Sequence, residues 1–92
     1  MTAERVQEIL TGALPIKGLL QEFEETHAEK ISLAKRMIAC VEDPRRQLVL
    51  QLRYLEGKPW KDISKQMFYS RPTVIRFHNL GIGEIAERYQ DD

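Results

Sequence analysis

Arg71, Ile75 and Asn79 stand four residues apart, with Arg76 between them, on a short segment that opens at Ser70. In a helix this spacing gathers them towards one side, and each type has something to offer a base edge. An arginine can give two hydrogen bonds to guanine, an asparagine can pair in the same way with adenine, and an isoleucine can meet a thymine methyl. Ser70 and Thr73 at the start of the segment, and Lys61 and Lys65 just before it, are types that hold phosphate oxygens, which sets register without reading sequence. Arg45, Arg46 and Arg53 are further phosphate candidates.

Two short helices must present these side chains. The first carries Trp60, Ile63, Ser64 and Met67 on one face and Lys61, Asp62 and Lys65 on the other. Phe68 and Tyr69 make a tight connection, and Ser70 caps the second helix. Pro72 is tolerated there because it falls in the first turn, where its missing amide has no helical partner. Val74, Phe77 and His78 lie inward; Pro72, Ile75, Arg76 and Asn79 lie outward, with Arg71 at the N-terminal edge. Two helices joined by a three- or four-residue turn have the helix-turn-helix layout. Counted from Trp60, its apolar positions are filled by Ile63, Met67, Tyr69, Val74 and Phe77. Ser64 is the small residue needed where the helices nearly touch. The turn position that is usually glycine holds Phe68.

Charge segregates along the chain, although the total is zero. Residues 1–43 carry five Lys/Arg against eight Asp/Glu; residues 44–80 carry eight against two; residues 81–92 carry one against four. The excess of six positive charges falls on the segment that holds the two short helices, the footprint expected of a phosphate-facing module.

The remaining signals are helical, and the expected fold is all-α: a long N-terminal helix followed by a three-helix headpiece. Thr2 caps a helix over about 3–11, ended by Gly12 and the Leu14-Pro15 step. A long helix then runs from Pro15 or Ile16 to about Val41. Its stripe is Ile16, Leu20, Phe23, His27, Ile31, Ala34, Ile38 and Val41, widened by Leu19 and Met37, with a mean spacing of about 3.6. Its length, about 38 Å, exceeds what a headpiece needs and suggests a homodimer seam or a fold back onto the first helix. Asp43 and Pro44 open the next helix, which ends at Gly57. Leu48, Leu52 and Leu55 form its inward stripe, with Val49 and Leu50 as a second packing surface. Gly81 and Gly83 loosen the chain before a last turn with Ile85, Ala86 and Tyr89. Residues 1–42 thus read as a helical hairpin or dimerisation segment, and 43–92 as the headpiece with its tail.

No catalytic set emerges. Paired Cys/His metal spacing, a glycine-rich phosphate loop and a Ser/His/Asp grouping are all missing from the sequence, so neither enzyme, cofactor nor metal is expected. The single Cys40 forbids an intramolecular disulfide and reads as a small hydrophobe. That choice, with no apolar signal segment and no run of about 18 apolar residues, sets the expectation of a soluble cytoplasmic chain without membrane contact. His27 reads as an ordinary interface histidine and Trp60 as a core anchor; His78 can reach a phosphate or pack beside Phe77.

The blocks Asp43-Pro44-Arg45-Arg46, Leu52-Arg53-Tyr54-Leu55-Glu56-Gly57, Trp60-Lys61-Asp62-Ile63, Tyr69-Ser70-Arg71 and Val74-Ile75-Arg76-Phe77-His78 resemble the ArpU/RinA-type phage late-gene transcriptional regulators. These in turn are similar to the helix-turn-helix of sigma-factor region four. The likeness spans about residues 41–80, and this chain differs at Pro59, where a Ser/Thr cap is common, at Phe68 and in the glycine-containing tail. The resemblance implies a sequence-specific DNA-binding regulator of prophage origin, with double-stranded DNA as partner and the helix at about 71–80 in the major groove. A second reading is a protein-interaction module docking on RNA polymerase or a phage assembly component, motivated by the acidic N-terminal part, the neutral total charge and an exposed Val49 and Leu50. A ring-forming DNA-packaging subunit is a third, minor reading.

Overall fold

A computed structural model describes residues 1–14 and 24–89; their regular structure is all helical, with no strand among them. The helices are α1 (Ala3–Thr11), α2 (Glu24–Ile38), α3 (Pro44–Leu50), α4 (Trp60–Met67) and α5 (Arg71–Arg88). A π-helical turn, Gln51–Leu55, continues α3 directly.

The local start signals act as expected. Thr2 Oγ1 accepts from the Arg5 amide at 3.1 Å, satisfying one of the donors left over at the start of α1. Asp43 Oδ1 does the same for Arg45 and Arg46 at 2.9 and 3.4 Å, with Pro44 in the first turn of α3. Ser70 caps α5. Gly57 takes a left-handed φ of 69° past the end of the π-helical turn, the geometry that a residue without Cβ adopts cheaply.

The start of the long N-terminal helix, with Ile16, Leu20 and Phe23, lies outside the described residues. Inside them, α2 stops at Ile38 and not at Val41. The amides of Cys40 and Val41 bond three residues back, to Met37 and Ile38, which tightens the chain into a turn. Gln47 of α3 donates from Nε2 to the Ile38 and Val41 carbonyls, both at 3.3 Å, so the orphaned end of α2 is covered by the next helix. The last turns of the apolar stripe are buried within one chain: Ala34, Met37, Ile38 and Val41 pack together with Val6 and Leu10 of α1. His27 ties α2 to the turn that follows α1, its Nε2 donating to the Leu14 carbonyl at 2.8 Å.

The inward stripe expected for α3 needs correction. Leu48 is 37% exposed, whereas Val49 and Leu50 are fully buried. The cause is that α3 lies between two cores and buries two faces. Leu50 and Tyr54 enter a large cluster with α1, α2 and the far half of α5 through Ile82 and Ile85. Val49 and Leu52 enter a smaller one with Ile63 of α4 and Val74 of α5. The Glu56 amide bonds five residues back to Gln51 at 3.1 Å; the extra residue in that wide turn slips the side-chain phase by about 100°. Val49 with Leu52, and Leu50 with Tyr54, are three and four residues apart and share one helical face each, which takes the place of the simple 48, 52, 55 pattern.

A second correction concerns Gly81 and Gly83, which do not loosen the chain. Helix α5 runs through both to Arg88. A Cβ at Gly81 would stand 2.9 Å from Leu50 Cδ1 and 3.6 Å from Arg46 Cβ, so the missing side chain is what lets α5 cross close over α3. Gly83 has no heavy atom within 4 Å of where its Cβ would be. The two glycines therefore respond oppositely. Gly83→Ala is expected to stabilise by about 0.5–1 kcal/mol through helix propensity alone. Gly81→Leu is expected to cost about 1–3 kcal/mol by overpacking against the buried Leu50. Urea denaturation midpoints of the two variants against the parent chain check both signs.

Candidate functional site

Helices α4 and α5 are joined by residues 68–70 and share the small cluster around Ile63 and Val74, with Trp60, Met67 and Phe77 packed at its rim. The turn is closed by its own backbone. The amides of Phe68 and Tyr69 both reach the Ser64 carbonyl, and Ser64 Oγ donates to the Tyr69 carbonyl. The small side chain at position 64 thus serves the turn with a hydrogen bond as well as with space. Tyr69 packs edge-on against Phe77 with ring centroids 5.2 Å apart, and Arg45 lies over the Phe77 ring at 5.4 Å.

Phe68 is the exception. Its backbone is left-handed (φ 60°, ψ 38°), the one non-glycine residue with positive φ among those described, and its side chain is 93% exposed. For an L-residue that conformation costs about 1–2 kcal/mol relative to a right-handed one, and glycine would occupy the position without that strain.

The side chains that the sequence nominates fall into two groups. Arg71, Ile75, Arg76 and Asn79 are all exposed on α5, within an arc of about 140° at ordinary helical twist. Lys61 and Lys65 are exposed on α4. Among the described residues none of Lys61, Lys65, Arg71 and Arg76 takes part in an ion pair. Ser70 and Thr73 are instead turned to each other: their hydroxyls are 2.8 Å apart, and Ser70 Oγ accepts from the Thr73 amide at 3.4 Å. They fix the start of α5 and so the direction in which Arg71 leaves it.

The arginines nominated for phosphates divide as well. Arg46 donates to Glu84 at 2.8 Å, and the Glu84 carboxylate also accepts from the Glu42 amide at 3.1 Å. Arg88 closes this network on Glu42 at 2.8 Å. Arg53 donates to the Lys58 carbonyl at 3.1 Å and lies over the Trp60 ring at 4.7 Å, bracing the turn ahead of α4. Both guanidiniums have partners within the fold, unlike Lys61, Lys65, Arg71 and Arg76 among the described residues. Arg45 stays more open, near Asp43 at 3.7 Å.

Sequence reading missed a buried polar chain behind this surface. His78 is 2% exposed. Its Nε2 lies 2.6 Å from the Tyr54 hydroxyl and its Nδ1 lies 2.9 Å from Asn79 Oδ1, while Trp60 meets the ring edge-on at 5.1 Å. Because Asn79 Oδ1 can only accept, Nδ1 carries the proton and Nε2 accepts from Tyr54. A phosphate role for His78 is thereby excluded: its ring belongs to the core, and it holds one oxygen of the exposed Asn79. The signal was present in principle. Tyr54 follows Leu50 and His78 follows Val74 by one helical turn, and two polar-tipped rings on inward faces need partners when buried.

Burial holds the His78 pKa below its ordinary value; the hydrogen bond to Asn79 opposes this and the charge of Arg53 adds to it. Burial likewise raises the Tyr54 hydroxyl. The consequence for stability has a definite sign. Between the folded pKa and about 6.5, the unfolded chain binds the proton and the folded chain does not, so stability falls as pH drops below about 6.5 and is unaffected by this group above it. Urea midpoints measured across that window should slope less in His78→Gln than in the parent chain; equal slopes would remove His78 as the cause. Tyr54→Phe, which leaves Nε2 buried without a donor, is expected to cost about 1–3 kcal/mol at neutral pH, read from the same titrations.

Among the described residues no group of His, Cys, Asp and Glu is placed to hold a metal ion, and no helix is long and apolar enough to cross a membrane. No protein-family model, no curated protein and no solved structure matches this chain.

Proposed function

We propose that this chain is a sequence-specific DNA-binding transcriptional regulator whose α4, turn and α5 act as a helix-turn-helix, with the N-terminal half of α5 lying in the major groove. One observation carries the reading: four cations, Lys61, Lys65, Arg71 and Arg76, are exposed on the two helices and have no anionic partner among the described residues. Unpaired cations standing on a rigid small core suit a polyanion, whose release of counterions supplies the binding energy. Ile75 and Asn79 lie on the exposed side of α5 with the two arginines, which gives that helix one apolar and three polar reading groups. The sequence resemblance to phage late-gene regulators points the same way, and prophage origin is proposed with it.

In this reading Arg71 and Arg76 address base edges, and Lys61, Lys65 and Arg45 address phosphates. Asn79 keeps both amide hydrogens for a base, because His78 engages its oxygen. Of the apolar stripe that suggests a homodimer seam, Ala34, Met37, Ile38 and Val41 are buried within the chain, so any dimer on a two-fold operator is proposed to pair without them. The alternative, a module that docks on RNA polymerase or a phage assembly component, rests on the acidic N-terminal part, the neutral total charge and, third, an expected exposure of Val49 and Leu50. Val49 and Leu50 are buried, so that third ground is removed.

The test is fluorescence anisotropy on duplex DNA, first of random sequence at two salt concentrations and then of a sequence obtained by selection. Binding should fall steeply with salt. Lys61→Ala is expected to weaken all duplexes alike and flatten the salt slope by about 1. Arg76→Ala is expected to lose about 1–3 kcal/mol on the selected sequence and relax preference at one base pair. Absence of binding by the parent chain at about 50 mM salt would sink the proposal.

A further inference from the structure

Phe68 has no structural reason to be aromatic. The turn it occupies is closed by backbone and Ser64 hydrogen bonds that any residue would preserve. Its ring is 93% exposed, while the neighbouring Tyr69 is the residue that packs on Phe77. Its left-handed backbone is the conformation in which a side chain is a cost and glycine is favoured. A large apolar ring kept almost wholly exposed at a position whose backbone it strains is a candidate for contact with something outside the chain.

The charges around it say what kind of partner. Lys65 precedes Phe68 by three residues and Arg71 follows it by three, both exposed and both without an ion pair among the described residues. A surface held by those two cations is anionic, and the ring must meet an apolar part of it. On a DNA duplex the apolar feature next to the phosphates is the deoxyribose. We propose that Phe68 is a DNA-contacting residue that seats its ring against the sugar edge of the strand flanking the groove entered by α5. The proposal rests on the DNA-binding reading above and adds to it a sequence-independent apolar contact at the turn. Strain at the turn is then a cost to stability that serves binding.

The contact predicts that stability and affinity move in opposite directions. Phe68→Gly removes both strain and ring; it should raise Tm by roughly a few degrees and weaken binding to random-sequence duplex DNA about tenfold, the loss expected for one buried apolar contact. Phe68→Ala keeps the left-handed strain and loses the ring; its Tm should stay near that of the parent chain and its affinity should fall by the same factor. Neither variant removes a charge, so both should keep the parent salt slope, and Phe68→Tyr should restore affinity. Unchanged affinity in the Gly and Ala variants, with Lys61→Ala still weakened, would overturn the role of Phe68 and leave the DNA reading standing. A tenfold loss accompanied by a shallower salt slope would also overturn it, because displaced cations and not the ring would be responsible. No binding by the parent chain would bring down the reading and this inference together.

Discussion

Helix α3 has to satisfy two cores at once, and most of the molecule is arranged around that demand. Leu50 and Tyr54 face the cluster built with α1, α2 and the end of α5, while Val49 and Leu52 face the cluster under α4 and the start of α5. A regular helix presents one broad apolar stripe more easily than two separate ones. Adjacent residues Val49 and Leu50 divide between the two surfaces, and Gly81 lets α5 come close enough to serve both clusters along its length. The Arg46–Glu84 pair and the Asp43 cap then fix the start of α3 against α5. The pose of α4 and the exposed face of α5 therefore depend on packing that extends to the first helix.

The buried Tyr54, His78 and Asn79 chain couples that interior to the surface. A neutral imidazole is the one ionisation state of histidine that can accept from a tyrosine and donate to an amide oxygen at the same time. Burial favours that state. Its effect on Asn79 is geometric: with its oxygen held by a ring that cannot move in the packed core, the side chain is confined to few rotamers. A polar group ordered before it meets a partner loses less entropy on meeting it.

What could be read from the sequence is what local chemistry decides. Thr2, Asp43 with Pro44, Gly57 and Ser70 mark helix ends because capping depends on residues two or three apart. The outward phase of Arg71, Ile75, Arg76 and Asn79 follows from helical periodicity. Their exposure is what was legible about the site; what they bind is a matter for the titrations. Illegible were the features set by a neighbour distant in sequence. Leu48 and Val49 differ in burial because of where the second core lies. Gly81 reads as a loose point until Leu50 is placed beside it. Tyr54 and His78 are 24 residues apart, and nothing in either segment alone names the other. The glycine usual at position 68 was a correct guide to the backbone, which stays left-handed even with phenylalanine in place.

The zero net charge of the chain resolves in the same way, by asking which charges the fold uses. Of the eight cations between 44 and 80, Arg45 pairs with Asp43, Arg46 with Glu84, and Lys58 with Glu56, while Arg53 is spent on a carbonyl and the Trp60 ring. The acidic tail contributes Glu84 to this set, and Glu42 from the acidic N-terminal part joins it through Arg88. Arg46, Glu84, Glu42 and Arg88 are thus drawn off into the junction of α3 and α5, and Lys58 with Glu56 into the turn ahead of α4. Those left over are Lys61, Lys65, Arg71 and Arg76, with Asp62 in the first turn of α4, where the helix dipole favours an anion. Exposed charges beyond about 8–10 Å are screened at physiological salt, so a ligand at α4 and α5 responds to this local excess of cations. A neutral protein can in this way offer a cationic face, because the acidic groups that balance it, such as Glu4, Glu29 and Glu87, are carried on α1, α2 and the far end of α5.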